Sequence, residues 1–158
     1  MLNNDVLRSL RFMLDISDAK VSEIAALSGL EINATDISNF LKKDDEEGFA
    51  LCSDEVLAHI LDGLVVFRRG RDDSRPAPAI ELPMTNNIVM KKLRVAFELK
   101  EDDLHAILQT ADFPVTKPEL SALFRKSGHH NYRPCGDQLL RNFLKGLTLR
   151  LRPEQRQA

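Results

Sequence analysis

The chain has 158 residues, of which 43% are hydrophobic and 29% are charged, a balance typical of globular rather than disordered proteins. Its apolar runs are too short to span a membrane, and its first residues lack the basic start and apolar core of a secretory signal. Two cysteines are too few for a disulfide scaffold. We therefore expect a soluble cytoplasmic protein with reduced thiols.

Charge is distributed unevenly along the chain. Residues 1–70 carry 7 basic and 13 acidic side chains, a net charge of −6, whereas residues 86–158 carry 13 basic and 8 acidic side chains, a net charge of +5. The segment between them, 71–85, adds a net charge of −1. This split predicts attraction between the halves, within one molecule or between two, or an affinity of the second half for polyanions.

The chain contains an internal duplication. A shift of 83 residues aligns 3–67 with 86–150 without a gap. Self-similarity over this length indicates two copies of one structural unit. The identical pairs include Asn3/Asn86, Asn4/Asn87, Arg11/Arg94, Ile24/Ile107, Lys43/Lys126, Cys52/Cys135, Asp54/Asp137, Leu57/Leu140 and Gly63/Gly146.

Apolar residues recur at helical spacing and predict four helices in each copy. In the first copy, the predicted buried faces of helices 1 to 4 consist, in chain order, of Val6, Leu10, Met13, Leu14, Val21, Ile24, Ala25, Ile37, Phe40, Leu41, Val56, Leu57, Ile60, Leu61 and Leu64. The second copy has apolar residues at all the equivalent positions.

Capping residues mark the predicted helix starts. Thr116 and Glu119 have the spacing of a capping box before helix 3 of the second copy, and Asn33 stands at the same place in the first. Ser53 and Gly136 occupy the capping position before helix 4.

We therefore predict an all-α fold, a tandem duplication of a four-helix unit with the two units packed about a pseudo-twofold axis. Gly63 and Gly146 lie inside helix 4, where a glycine costs about 1 kcal/mol relative to alanine. We expect another backbone to approach closely at both. The predicted boundaries are 1–68 for the first helical repeat, 69–85 for a proline-containing linker, 86–152 for the second repeat and 153–158 for a tail.

Four segments resemble those of the bacterial YehS-like proteins. They are NNDVLR at 3–8, KKDDEEGF at 42–49, NNIVMKKLR at 86–94 and CGDQLLRNFLKGL at 135–147. The resemblance covers nearly the whole chain and implies a small cytoplasmic bacterial protein that carries a domain of unknown function twice. It implies no activity, cofactor or catalytic residue.

Polar residues shared by both copies are the candidates for a site. We interpret Arg11 with Asp54, and Arg94 with Asp137, as structural ion pairs, and the alternative is a pair of equivalent ligand sites. The consecutive amides are interpreted as caps of helix 1, and the alternative is a set of surface amides that face a partner. These amides are Asn3, Asn4, Asn86 and Asn87.

The sequence contains no recognisable catalytic or cofactor-binding constellation. Cys52 and Cys135 are interpreted as small buried hydrophobic residues, because the first has only acidic neighbours and a reactive thiol needs a base and a positive setting. His129 and His130 precede Cys135, but no CxxC pair completes a zinc site. An exposed polar loop is the favoured interpretation, and we predict neither a metal nor a cofactor.

Nucleic-acid binding is the alternative to a protein-binding role. Helices 2 and 3 around Gly29 resemble a helix-turn-helix, but the apolar positions Ile37 and Phe40 indicate a turn about two residues too long. The second copy has Asp112 in place of the glycine, and Asp36 would repel phosphates. The ends of the two helices 4 carry candidate basic contacts at Arg68, Arg69, Arg71, Arg150, Arg152 and Arg156.

These observations favour a non-enzymatic protein-binding or adaptor module built from two helical repeats. The partner is expected to be a protein, self-association through the oppositely charged halves is a further expectation, and no membrane is involved. The alternative is a helix-turn-helix-like nucleic-acid-binding regulator.

Overall fold

The structure, a computed structural model, describes residues 1–154. Within this range the chain forms eight α-helices and no strand, so the predicted all-α class is confirmed. The helices are α1 (Asn3–Leu14), α2 (Asp18–Leu27), α3 (Ala34–Leu41), α4 (Asp54–Arg69), α5 (Asn86–Ala96), α6 (Glu101–Thr110), α7 (Lys117–Leu123) and α8 (Asp137–Leu151).

The chain divides into two compact units, Met1–Met84 (unit 1) and Thr85–Ala158 (unit 2). Each unit contains four of the helices, which confirms the predicted four-helix repeat. The predicted pseudo-twofold packing remains a prediction, as do the exact repeat boundaries. The last four residues of the predicted tail, 155–158, lie outside the described residues, and Arg156 lies among them.

The segment that joins α4 to α5, residues 70–85, has no helix or strand, and most of it belongs to unit 1, to which it is hydrogen-bonded near both of its ends. Near its start, Arg71 Nη2 donates a hydrogen bond of 2.8 Å to Leu27 O. Near its end, Met84 N donates one of 3.1 Å to Asp54 Oδ2. The Arg71 contact places a positive charge at the carboxyl end of α2, where it complements the helix dipole.

Each unit encloses its own apolar core, to which all four of its helices contribute. The repeated spacing of apolar residues explains this, because positions three and four apart share one face of a helix. Leu14, Leu41 and Val56, which we predicted to be buried, are only half-buried and lie at the edges of their apolar faces. Unit 1 buries Val6, Leu7, Leu10, Met13, Val21, Ile24, Ile37, Leu57, Ile60, Leu61 and Leu64, and unit 2 buries Val89, Met90, Leu93, Leu104, Ile107, Leu120, Leu123, Leu140, Phe143, Leu144 and Leu147.

Three of the four capping residues predicted before the third and fourth helices form capping hydrogen bonds, whereas Gly136 stands at the N-cap of α8 without a side chain to accept one. Asn33 Oδ1 accepts a hydrogen bond of 2.8 Å from Asp36 N, and Thr116 Oγ1 accepts one of 3.3 Å from Glu119 N. Ser53 Oγ accepts one from Val56 N at 3.2 Å. Such side chains satisfy backbone donors that have no partner inside the helix.

Gly63 and Gly146 allow a close helix crossing inside each unit. A Cβ at Gly63 would collide with the carbonyl group of Ile24 on α2, and a Cβ at Gly146 with that of Ile107 on α6. The expected close backbone approach is therefore confirmed. The backbone that approaches belongs to the same unit.

The link between the second and third helix of each unit is longer than a helix-turn-helix allows. Six residues separate α2 from α3, and six separate α6 from α7, whereas the DNA-binding motif has a turn of about three or four residues. Gly29 (φ 94°) and its counterpart Asp112 (φ 58°) both adopt the left-handed conformation. Both units therefore make the same left-handed turn after their second helix, with a glycine in unit 1 and an aspartate in unit 2.

Candidate functional site

The asparagines at the start of α1 and α5 point into their units and do not cap these helices. Asn4 is 1% exposed and Asn87 is 8% exposed. The N-cap position of α1 is instead held by Leu2, whose side chain forms no capping hydrogen bond, and that of α5 by Thr85, whose Oγ1 accepts a hydrogen bond from Ile88 N at 3.2 Å. The prediction of helix caps was therefore wrong, and the alternative of surface amides was wrong for Asn4 and Asn87. Asn3 and Asn86 are partly exposed.

Asn4 joins three backbone segments of unit 1. Its Nδ2 donates to Phe40 O at 2.9 Å and to Ala50 O at 2.8 Å, and its Oδ1 accepts from Cys52 N at 3.0 Å. We call this arrangement the amide clamp. It closes the link between α3 and α4 against the start of α1.

Unit 2 contains the same amide clamp around Asn87. Its Nδ2 donates to Leu123 O and to Arg133 O, each at 2.9 Å, and its Oδ1 accepts from Cys135 N at 2.8 Å. Both clamps use their amide groups within the protein, so they organise the fold and do not offer a ligand site.

The predicted pairing of Arg11 with Asp54 was wrong. Asp54 Oδ1 accepts a hydrogen bond of 2.8 Å from Asn3 Nδ2, which also donates to Cys52 O at 3.1 Å. Arg11 pairs with Asp18 at the start of α2, with Nε 2.7 Å from Oδ1. Arg11 lies eight residues beyond Asn3, about 12 Å along α1, and this distance separates it from Asp54.

The equivalent pairing in unit 2 was also wrong. Asp137 Oδ1 accepts from Asn86 Nδ2 at 2.8 Å, as Asp54 does from Asn3. Arg94 Nε donates to Leu99 O at 3.1 Å, and its guanidinium carbon lies 4.7 Å from the centre of the Phe124 ring. Each arginine therefore fixes the end of its own helix, and sequence identity between the copies did not indicate a shared partner.

The two cysteines are buried, as predicted, with exposed fractions of 5% for Cys52 and 7% for Cys135. Burial and then the charge of Asp54 raise the pKa of the Cys52 thiol to about 12. Burial and then the charge of Asp137 raise the pKa of the Cys135 thiol to about 11. Because the thiolate is the nucleophilic form, neither side chain is set up for catalysis.

His129 and His130 lie in an exposed loop, as predicted. Their rings stack with centroids 4.5 Å apart, and Asn131 N donates to His129 Nδ1 at 3.0 Å. In the part of the chain that the structure describes, no three or more His, Cys, Asp and Glu side chains are grouped so that they could hold a metal ion.

Several of the candidate basic residues take part in contacts within their own unit. Arg150 Nη2 lies 2.6 Å from Asp103 Oδ1, and Arg152 Nε lies 3.0 Å from Glu154 Oε1. Arg71 donates to Leu27 O, as described above. Arg68 and Arg69 are exposed in the last turn of α4. These contacts favour a helix-stabilising role for Arg71 and Arg150.

The sequence prediction missed a group of exposed leucines in unit 1. Leu2 is 50% exposed, Leu51 is 67% exposed and Leu82 is 53% exposed. A signal for two of them was present, since the duplication aligns Leu2 with Thr85 and Leu51 with Pro134. A core position is expected to hold a large apolar residue in both copies. Replacement of a leucine by threonine or proline in the second copy therefore indicates a position on the surface.

No helix within residues 1–154 combines the length and apolar character that a membrane crossing requires. This finding agrees with the short apolar runs of the sequence.

Comparison with known proteins identifies the family. A protein family described as "Protein of unknown function (DUF1456)" matches residues 3–70 and again residues 86–152. The chain is also 49% identical over 150 residues to the "Uncharacterized protein YehS" of Escherichia coli (strain K12), a match that covers 95% of this chain and 96% of that protein. No solved structure matches. The chain therefore belongs to the DUF1456 family of proteins of unknown function, whose domain it carries twice, as its resemblance to the YehS-like proteins implied.

Proposed function

We propose that the protein is a non-enzymatic binding module and that unit 1 holds a basic, amphipathic helix of a partner protein. The observation that carries this proposal is the group of Leu2, Leu51 and Leu82, which we call the leucine surface. All three side chains are at least half exposed. Grouped exposed apolar side chains are typical of interaction sites.

Hydrogen bonds of the neighbouring residues bring the three leucines to one end of unit 1. Leu2 precedes Asn3, whose Nδ2 donates to the carbonyl oxygen of Cys52 at 3.1 Å. Leu51 directly precedes Cys52. Leu82 lies two residues before Met84, whose N–H donates to Asp54 at 3.1 Å, and Asp54 in turn accepts from Asn3 at 2.8 Å. The hydrogen bonds at the starts of α1 and α4 thus hold together the backbone segments that carry the three leucines.

Charge next to the leucine surface defines the partner. The loop before Leu51 contains four consecutive acidic residues over 44–47, all exposed. Residues 1–70 carry a net charge of −6. A partner helix with leucines on one face and lysines or arginines on the other would bury its apolar face and meet these carboxylates with its basic face.

Unit 2 provides a natural contrast. At the positions of Leu2 and Leu51 it has Thr85 and Pro134, and at the positions of the acidic run it has Ser127, Gly128, His129 and His130. The shared fold therefore presents an apolar, acidic end in unit 1 and a polar, basic end in unit 2. This contrast supports a binding role for one unit that the other does not duplicate.

Binding of a model helix tests the proposal. The probe is a fluorescent peptide built only of leucine and lysine in an amphipathic pattern, and its control has glutamate in place of every lysine. We expect the lysine peptide to bind at least tenfold more tightly than the glutamate peptide in fluorescence anisotropy. Leu51→Ser should weaken binding of the lysine peptide at least tenfold, because Leu51 is the most exposed of the three leucines.

The matched control is Pro134→Ser at the equivalent position of unit 2, and it should leave binding of the lysine peptide unchanged. Both substituted side chains are exposed, so neither change should unfold the protein. Equal binding of the two peptides, or equal effects of the two substitutions, would refute the proposal.

A further inference from the structure

The loop between α7 and α8 is an exposed segment whose two ends are held together. Asn87 Nδ2 donates both to Leu123 O and to Arg133 O, each at 2.9 Å. Arg133 N also donates to Ala122 O at 3.1 Å. Residues 125–133, which we call the basic loop, therefore leave and re-enter the unit at one place, and 125–131 are all exposed.

The basic loop carries positive charge without local compensation in sequence. No acidic residue occurs between Glu119 and Asp137, whereas this stretch contains Arg125, Lys126 and Arg133. Arg133 Nη1 lies 3.3 Å from Glu119 Oε2. The side chains of Arg125 and Lys126 form no hydrogen bond or ion pair with another residue in 1–154. These two cations are available to a ligand.

Planar rings accompany the charges. His129 and His130 stack with centroids 4.5 Å apart at an angle of 21°, and Tyr132 is half-buried at the end of the loop. Exposed rings next to free cations are the combination with which proteins bind single-stranded nucleic acids, the rings stacking on bases and the cations contacting phosphates.

We propose that the basic loop is a binding site for single-stranded nucleic acid. A duplex is less suited, because reading a groove takes a helix or a two-stranded ribbon, and the loop has neither. A membrane surface is less suited, because interfacial binding needs apolar side chains to insert, and none of the large exposed apolar residues lies in 125–133. The site is in unit 2 and is independent of the function proposed for unit 1.

The equivalent loop of unit 1 makes the site specific to unit 2. It has Lys42 and Lys43 at the positions of Arg125 and Lys126, but residues 44–47 that follow are all acidic. Lys42 Nζ is also engaged, since it donates to Glu47 O at 3.1 Å. The two basic residues are therefore followed in the chain by four acidic residues in unit 1 and by four residues without acidic groups in unit 2.

Titration of a fluorescent 20-nucleotide oligothymidine with the full chain tests the proposal. We expect binding in fluorescence anisotropy at 50 mM NaCl and a steep loss of affinity by 200 mM, because phosphate contacts release counterions. The double variant R125E/K126E should weaken binding at least tenfold at 50 mM NaCl. Its slope of log affinity against log salt should be smaller by about 1.4, because each phosphate contact with a single strand contributes about 0.7.

Lys43→Glu is the matched control, because Lys43 is the counterpart of Lys126 in the duplication and is likewise exposed. It should change the affinity for oligothymidine less than twofold. Amide hydrogen exchange at Cys135, whose N–H is held by Asn87, verifies that R125E/K126E keeps unit 2 folded.

Three outcomes would overturn the proposal. One is the absence of oligothymidine binding at 50 mM NaCl. Another is an equal loss of affinity in Lys43→Glu and in R125E/K126E. The third is binding to phosphatidylserine vesicles or to polyglutamate at least as tight as binding to oligothymidine, since that would assign the loop to a membrane or to an acidic protein.

Discussion

Asn4 and Asn87 show how one side chain can connect segments that are far apart in sequence. Each amide contacts residues 36, 46 and 48 positions further along the chain. In each clamp two of the three hydrogen bonds are buried, so the backbone groups in those two bonds have no water to replace a lost amide partner. The free-energy cost of an unsatisfied buried group is about 1–3 kcal/mol. The amide clamps should therefore be important for the stability of each unit.

Asn4→Ala tests the amide clamp of unit 1. It leaves two carbonyl groups and the N–H of Cys52 without their partner, and we expect a loss of about 3 kcal/mol in the free energy of unfolding of unit 1. Hydrogen exchange measured by NMR should show reduced protection of the Cys52 amide. The Cys135 amide, held by Asn87 in unit 2, is the internal reference and should keep its protection.

Asn131→Ala serves as the control, since Asn131 is exposed and its side chain is outside the clamp. Unchanged exchange at Cys52 in Asn4→Ala would contradict the role assigned to the clamp.

The buried thiols predict slow alkylation and a stability that falls at high pH. The unfolded thiol ionises near pH 9.0, whereas the pKa of Cys52 in the folded chain is raised to about 12. Ionisation of the thiol therefore favours the unfolded state. The stability that the neutral, buried thiol contributes is fully present below pH 9 and is lost as the pH rises from 9 to 12. At pH 8 we expect iodoacetamide to react at least about 100-fold more slowly with the folded chain than with the chain in urea. A reaction equally fast in both states would show that the cysteines are accessible.

At the scale of the helices, the crossing of α4 on α2 and of α8 on α6 depends on the absence of a side chain. The carbonyl groups of Ile24 and Ile107 occupy the space that a Cβ at Gly63 or Gly146 would need. The sequence indicated that something approaches these glycines. It did not indicate which helix, because the contact joins residues 39 positions apart in both units.

Gly146→Ala should therefore destabilise the protein, although alanine is the better helix former. In an open helix the substitution would stabilise by about 1 kcal/mol, whereas overpacking in a close crossing costs about 1–3 kcal/mol. Because the new Cβ would collide with the backbone carbonyl group of Ile107, which is less free to move than the end of a flexible side chain, we expect a cost near the upper end of this range and hence a net loss of about 2 kcal/mol in urea denaturation. Lys145→Ala, at the exposed neighbouring position of α8, should change stability by less than about 0.5 kcal/mol. A stabilising effect of Gly146→Ala would show that the crossing is loose.

At the scale of the whole molecule, the main feature is that duplicated units carry opposite charge, −6 over residues 1–70 and +5 over residues 86–158. Opposite charges attract over a distance of about 30 Å at 0.01 M salt but only about 10 Å at 0.1 M salt. From this distribution we predict that unit 1 of one molecule associates with unit 2 of another when salt is low.

Sedimentation velocity tests this self-association. At 10 mM NaCl we expect the average sedimentation coefficient to rise with protein concentration, and at 300 mM NaCl we expect it to stay constant. R125E/K126E, which reduces the positive charge of unit 2, should lower the association at 10 mM NaCl. A sedimentation coefficient that is independent of protein concentration at both salt concentrations would contradict association between molecules. The opposite charges would then attract only within one molecule.

The sequence by itself determined the duplication, the all-α class, the helices and the capping residues of the third and fourth helix in each copy. These features depend on local spacing, because a helical face and an N-cap are specified by residues three or four positions apart. Ser53, Asn33 and Thr116 could therefore be identified as caps before any contact was known.

Only the tertiary structure decided the partners of the shared polar residues. Asn4 was expected at a helix end and is a buried clamp, and Asp54 binds Asn3 instead of Arg11. The physical reason is that a long-range contact depends on how helices cross, and identical residues in two copies reveal that a role is shared without revealing its partner. The leucine surface and the basic loop likewise depend on long-range contacts. Both form because folding brings the segment before the fourth helix of each unit next to the start of the first helix.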